Sequence, residues 1–257
     1  MANHQPPSIH VVLDTNCLFT EAADKLIATD LSAFILNDSQ QLGLKITWYL
    51  PSIVKAERKY QMAERGKKLL PALVKVESLL GHALGINAEV LEGRVDDAIK
   101  RQIDRHHLAE LELAAAKVNW DTVIHSAAQR LPPFEAGEKE KGFRDALVLE
   151  TFDQLAASLP KSSASARVIL LSSDKLLQVA TRERFKDRSN VLIADGLDEV
   201  RTILNAVASH LTQEAIGSIL PKASKLFFTG MDNHESLYYR AQVQKEINRQ
   251  VPVWLSY

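Results

Sequence analysis

Two uninterrupted apolar runs stand out in a chain otherwise dominated by helix-forming residues. Ile9-His10-Val11-Val12-Leu13 ends at Asp14, and Val168-Ile169-Leu170-Leu171 ends at Ser172-Ser173-Asp174. Runs of this length without alternation read as parallel strands covered on both faces. Lys45 to Leu50, closed by Pro51, and Val191 to Ile193, closed by Asp195-Gly196, are weaker versions of the same pattern. A further strand is placed at Val118 to Ile124. The intervening stretches, rich in Ala, Leu, Glu, Lys and Arg, predict helices, one starting near Ser52 and another after Gly142. Strands alternating with helices define an α/β fold, a sandwich around a central parallel sheet.

The helical stretch from Leu69 to Ala116 reads as an insertion, and residues 201–257 as a mainly helical extension of a first domain covering residues 1–200. The extension ends on Val251-Pro252-Val253-Trp254-Leu255-Ser256-Tyr257, an apolar tail expected to pack on the core or across a homodimer interface. No run of about 18 apolar residues is present, so no membrane-spanning helix is expected. Residues 1–10 have neither a basic start nor an apolar centre, unlike a signal peptide. Thirty-one basic residues against thirty-two acidic ones leave a net charge of −1, so any anionic partner must be met by a local patch. The single cysteine, Cys17, excludes an internal disulfide and a multi-cysteine zinc site and fits a cytoplasmic location. It reads as a small packed hydrophobe.

Familiar catalytic motifs are missing. The Gly137-to-Gly142 spacing imitates a phosphate-binding loop, but Phe143 and Arg144 follow where Lys and Ser or Thr are needed. His106 and His107 are adjacent and point about 100° apart on a helix, so they do not share a face. The signal is acidic instead. Ligands of parallel α/β sheets bind beyond the carboxyl ends of the strands, where Asp14 and Asp174 stand. Each also suits a helix N-cap. On a helix begun at Ser52, Glu57 shares a face with Ile53 and Tyr60, and Glu64 lies too far along to join it. Asp145 precedes Val148 and Leu149 by three and four residues and belongs to their inward stripe, whereas Glu150 turns toward solvent. An oxygen-only cluster of four acids calls for a hard cation, Mg²⁺ or Mn²⁺, and such an ion hydrolyses phosphodiesters.

These residues, in this order, resemble the PIN-domain nucleases: Leu13-Asp14-Thr15-Asn16, Glu57 after Leu50-Pro51-Ser52, Lys141-Gly142-Phe143-Arg144-Asp145-Ala146-Leu147, and Ser172-Ser173-Asp174. The resemblance covers about residues 9–198. It implies a three-layer α/β/α sandwich of PIN type, here with extra helices. It also implies metal-dependent cleavage of single-stranded or structured RNA, frequent homo-oligomers, and in many relatives a toxin held by an antitoxin or regulatory protein. By the same resemblance Asp14, Glu57, Asp145 and Asp174 bind metal and are catalytic, and Thr15, Asn16 and Ser172 orient them. Leu176 departs from the pattern, standing where many members carry another acid.

Two basic runs begin beside these acids, Lys55, Arg58, Lys59, Arg65, Lys67, Lys68 and Lys75 in one, and Lys175, Arg182, Arg184, Lys186 and Arg188 in the other. Lys55, Arg58, Arg144 and Lys175 are the expected nucleic-acid contacts, with Glu140 or Asp174 as alternative partners for Arg144. Two other functions fit less well. A haloacid-dehalogenase-type phosphatase needs a second Asp where Asn16 stands, and a non-catalytic RNA-binding module leaves the four acids without a task.

Overall fold

The structure is a computed structural model and describes residues 7–18, 23–38, 44–136, 141–162 and 166–209. The chain divides into two compact units, Met1–Asn205 and Ala206–Tyr257. The tail at 251–257 and residues 137–140 of the glycine-flanked loop lie outside the described residues.

The first unit is built on five parallel strands, β1 (Ser8–Leu13), β2 (Ile46–Pro51), β3 (Ala109–Leu111), β4 (Ala166–Leu171) and β5 (Val191–Ala194), in the order β3-β2-β1-β4-β5. The two apolar runs are the central neighbours β1 and β4, in register from Ser8 opposite Ala166 to Leu13 opposite Leu171. Ile9, Val11, Val12, Leu13 and Val168 to Leu171 are buried, as strands with helices on both faces require. Helices α1 (Thr15–Leu18), α2 (Thr29–Ala33), α3 (Ser52–Leu80), α4 (Ala88–His106), α5 (Trp120–Gln129), α6 (Phe143–Ser158) and α7 (Lys175–Arg184) connect them. This is the three-layer α/β/α sandwich. The chain leaves β1 for β2 and β3 on one side, then crosses to β4 and β5 on the other. The strand order therefore reverses between β1 and β4, and a crevice opens at their carboxyl ends.

Several expectations are corrected. Val118 to Ile124 is not a strand: Asn119 caps α5 by accepting from the Thr122 amide at 3.2 Å. The missing strand is β3, three residues inside the stretch read as helical throughout, pairing its Glu110 with Leu50 on β2. Tyr60 is 66% exposed, because α3 turns Val54, Arg58, Met62 and Ala63 inward instead.

Glu150 is buried rather than solvent-facing. Helix α6 is covered on most of its circumference, with Phe152 edge-on to Phe185, and Arg184 of α7 reaches in to pair with the Glu150 carboxylate. Removing one partner of a buried pair leaves an uncompensated charge. Arg184→Met is expected to cost about 3 kcal/mol, the low end of the range for such a loss because Arg184 is partly exposed. A lower midpoint in urea unfolding, with Glu150→Gln restoring part of the loss in the double variant, checks this.

Candidate metal centre and nucleic-acid interface

Leu13 closes β1, and the Asp14 amide still donates to the Leu171 carbonyl (3.1 Å), which fixes the first acid beside the end of β4. Its buried carboxylate accepts from the Thr15 amide (2.7 Å), Asn16 Nδ2 (3.3 Å) and Ser172 Oγ (2.6 Å). Ser172 Oγ also accepts from the Asp174 amide at 3.1 Å. One hydroxyl thus ties the ends of the two central strands together.

Asp174 performs the capping role open to it, its Oδ1 accepting from the Leu177 amide at 2.8 Å to start α7. Glu57, on the second turn of α3, has a side chain only 15% exposed. It accepts from Thr15 Oγ1 (2.8 Å) and Gln61 Nε2 (3.3 Å), and Arg144 forms an ion pair with it. Arg144 is therefore paired with Glu57, not with Asp174, and residue 140 lies outside the described residues.

Asp145 reaches the same place from α6, whose start is held by packing. Phe134 fills a small cluster with Val118, Val123 and Ala146, and the Glu135 amide donates to the Lys141 carbonyl at 3.2 Å. Gly142 then passes against this turn with φ +107°, where a Cβ would lie 2.5 Å from the Pro133 carbonyl oxygen. Only glycine fits.

All four acids line one cleft of about 670 Å³, together with a fifth, Glu135, which pairs with Lys141 at 3.0 Å, and with Thr15, Asn16, Gln61, Phe143, Arg144 and Leu176. The carboxylates sense one another. Asp145 is pushed up to about 6, first by burial and then by the charges of Asp14 and Asp174, with Arg144 opposing. Asp14 is also raised, first by burial, against which the Ser172 and Thr15 hydrogen bonds act, while Asp174 and Glu57 push it further up. Among the described residues no donor meets the Asp145 carboxylate, so its charge is left to whatever enters the cleft.

The donor set is all oxygen and carries excess negative charge, which fits a hard divalent cation. Among the described residues, however, no group of three His, Cys, Asp or Glu is already posed around a single ion. The hydrogen bonds explain why. Glu57 is turned to Arg144 and Thr15, Asp174 to its helix, and Asp14 to Ser172 and Asn16. A carboxylate has about four acceptor sites, so these bonds leave each acid lone pairs for an ion once the side chains close on it.

The basic residues are more occupied than their spacing implied. Lys55 pairs with Glu110, Lys59 with Asp96 at 2.7 Å, Lys67 with Glu92 at 2.8 Å, and Lys175 with Asp195 at 3.6 Å. Arg58 is corrected outright. It is 0% exposed, with Nη2 donating to the Lys25 carbonyl at 2.5 Å and Nη1 to Gln61 Oε1 at 2.5 Å, and so it cannot meet nucleic acid. Its structural task is to anchor the segment before α2 and to orient Gln61, which in turn donates to Glu57. Gln61 was missed by the sequence reading, although its i+4 spacing from Glu57 was the available signal. The Cys17 thiol donates to the Asp14 carbonyl at 2.7 Å and is raised well above its usual range by burial and by the Asp14 charge. It is therefore a protonated packing group, not a nucleophile.

The PIN-domain family model matches residues 11–176, well over half of the chain. The chain belongs to the PIN-domain family, a nuclease-type fold whose members act on nucleic acid and typically use divalent metals. No curated protein and no solved structure matches it significantly. Among the described residues no helix is long and apolar enough to cross a membrane.

Proposed function

We propose that this chain is a ribonuclease that hydrolyses RNA phosphodiesters with Mg²⁺ or Mn²⁺ at the four-acid cleft. The observation that carries the reading is the convergence of Asp14, Glu57, Asp145 and Asp174 from two helices and two strand ends, with Asp14 and Asp145 raised partly by the neighbouring charges. Repulsion of this kind is relieved by a cation, and a structural cluster of salt bridges offers no such vacancy of positive charge.

In this reading the four acids hold the ion, which when bound acidifies water and neutralises charge on the phosphate. Thr15 and Ser172 keep their hydroxyls on Glu57 and Asp14 and so fix the floor of the cleft. Arg144, 59% exposed, balances Glu57 in the free protein and is placed to exchange that carboxylate for a substrate phosphate. Asn16 donates to Asp14, a role that an acid/base group of phosphatase type does not take, which disfavours phosphomonoester chemistry. Toxin-type control by an antitoxin belongs to the same proposal and rests on the family resemblance, self-association on that resemblance and the apolar stretch 251–257, and a cytoplasmic location on the single cysteine.

The test is cleavage of labelled RNA by the purified full chain with Mg²⁺ or Mn²⁺, against EDTA. Cleavage that co-elutes with the protein and stops on chelation is expected. Binding without cleavage under every metal condition would instead make this a non-catalytic RNA-binding module, and phosphate release from a small phosphomonoester would point to the phosphatase.

A further inference from the structure

We propose that Phe143 is a base-stacking residue at the mouth of the acidic cleft, holding one base of the nucleic acid beside the phosphodiester that the acids address. The inference rests on the nuclease reading above and adds to it a binding residue of a different chemical kind.

Phe143 is 52% exposed although it is a large aromatic side chain, and it lines the cleft that contains the four acids. It is not a core residue that failed to find its place. Phe134, nine residues earlier on the same loop, fills the apolar cluster below and is buried. Nor is it carried on a loose tip. Gly142 is wedged against the Pro133 carbonyl, and its own carbonyl accepts from the Ala146 amide at 2.8 Å, so Phe143 begins α6 from a fixed backbone.

Its neighbours have the chemistry of a strand-binding groove. Lys141 and Arg144 flank it in sequence and line the same cleft, each paired there with a carboxylate that a phosphate would replace, Lys141 with Glu135 at 3.0 Å and Arg144 with Glu57, and Asp145 lies two residues on. An aromatic face set between cations is how proteins grip nucleic acid without reading its sequence. The cations track phosphates, and the ring stacks on a base whatever its identity. A ring in this position needs a base free to leave its own stack, as bases inside an A-form duplex are not.

The experiment measures binding of a short fluorescent single-stranded RNA by anisotropy, with the full chain and Ca²⁺ in place of Mg²⁺. Stacking positions truncated to alanine lose about 1–3 kcal/mol per base, which is about 5- to 150-fold in affinity. Phe143→Ala is expected to weaken binding within that range. Phe143→Leu, which keeps apolar bulk but no ring face, should lose nearly as much, whereas Phe143→Tyr should stay within about twofold of wild type.

An abasic site walked along the RNA should weaken the wild type at one position and weaken Phe143→Ala no further there, the signature of a shared contact. Wild-type affinity in Phe143→Ala, equal losses in the Ala and Tyr variants, or the same abasic profile in wild type and Phe143→Ala would each overturn the stacking role alone. A wild type that binds no RNA would remove the nuclease reading and this inference together.

Discussion

Asp14→Asn and Asp145→Asn are each expected to lower metal-dependent RNA cleavage at least about 10³-fold, roughly 4 kcal/mol of barrier. The Asn side chain keeps the shape of the carboxylate but removes the charge that draws an ion into the cleft. At position 14 donors face both carboxylate oxygens, Thr15 N–H on one and Ser172 and Asn16 on the other, so the amide nitrogen of Asn must face one of them and a lower melting temperature is expected alongside the lost charge. At position 145 no described donor is left without a partner by the change. Single-turnover cleavage with both variants, each shown to be folded by its melting temperature, is the check. Robust activity in both would discard these acids.

The second large effect is on stability and needs no RNA. An ion that binds only the folded protein stabilises it by about 2.7 kcal/mol at one hundred times its Kd. For a domain of this size that raises Tm by roughly 5–11 °C. Mn²⁺ should do so for the wild type and far less for Asp145→Asn.

Without metal the sign reverses. The Asp145 carboxyl is pushed up to about 6 in the folded protein against 3.8 ordinarily, so between these values the folded state holds the proton that the unfolded chain releases. Stability in EDTA should therefore rise as pH falls from about 7 toward 4, by at most about 3 kcal/mol from this group. Asp145→Asn should flatten that slope and match or exceed wild-type stability at neutral pH. If Asp145 only favours the α6 N-terminus, the variant should instead lose about 0.3–1 kcal/mol and keep the full response to Mn²⁺.

What could be read from sequence follows from how each element is buried. β1 and β4 were legible because a strand covered on both faces must be apolar throughout, and Asp14 and Asp174 because an acid closing such a run stands at a sheet's binding edge. β3 was not, since Ala109-Glu110-Leu111 is too short to show a period and owes its place to pairing with β2. Val118 to Ile124 misled because Val118 and Val123 are apolar for a different reason, the seat they provide for Phe134.

Asp145 was legible as a charge on an inward stripe, whereas Glu57 was reached through a stripe that the structure leaves open, since Tyr60 on it is 66% exposed. The same reasoning failed for Glu150 and Arg58, because a helical wheel assigns one buried face, whereas α6 is enclosed on several sides and α3 buries a guanidinium whole. Pairings across long separations, Arg144 with Glu57 and Arg184 with Glu150, leave no local trace at all. They are what decides which cations remain available to a substrate.

Equilibrium Mn²⁺ binding, followed by the loss of the free-ion electron paramagnetic resonance signal, tests most directly whether the four carboxylates form one cation site. Wild-type protein should deplete the free ion in a saturable way, while Asp14→Asn and Asp145→Asn, at equal protein concentration, should each bind at least about tenfold more weakly, a difference of about 1.4 kcal/mol. Isotherms for the two variants that overlay that of the wild type, or a wild type that binds no Mn²⁺, would contradict the account.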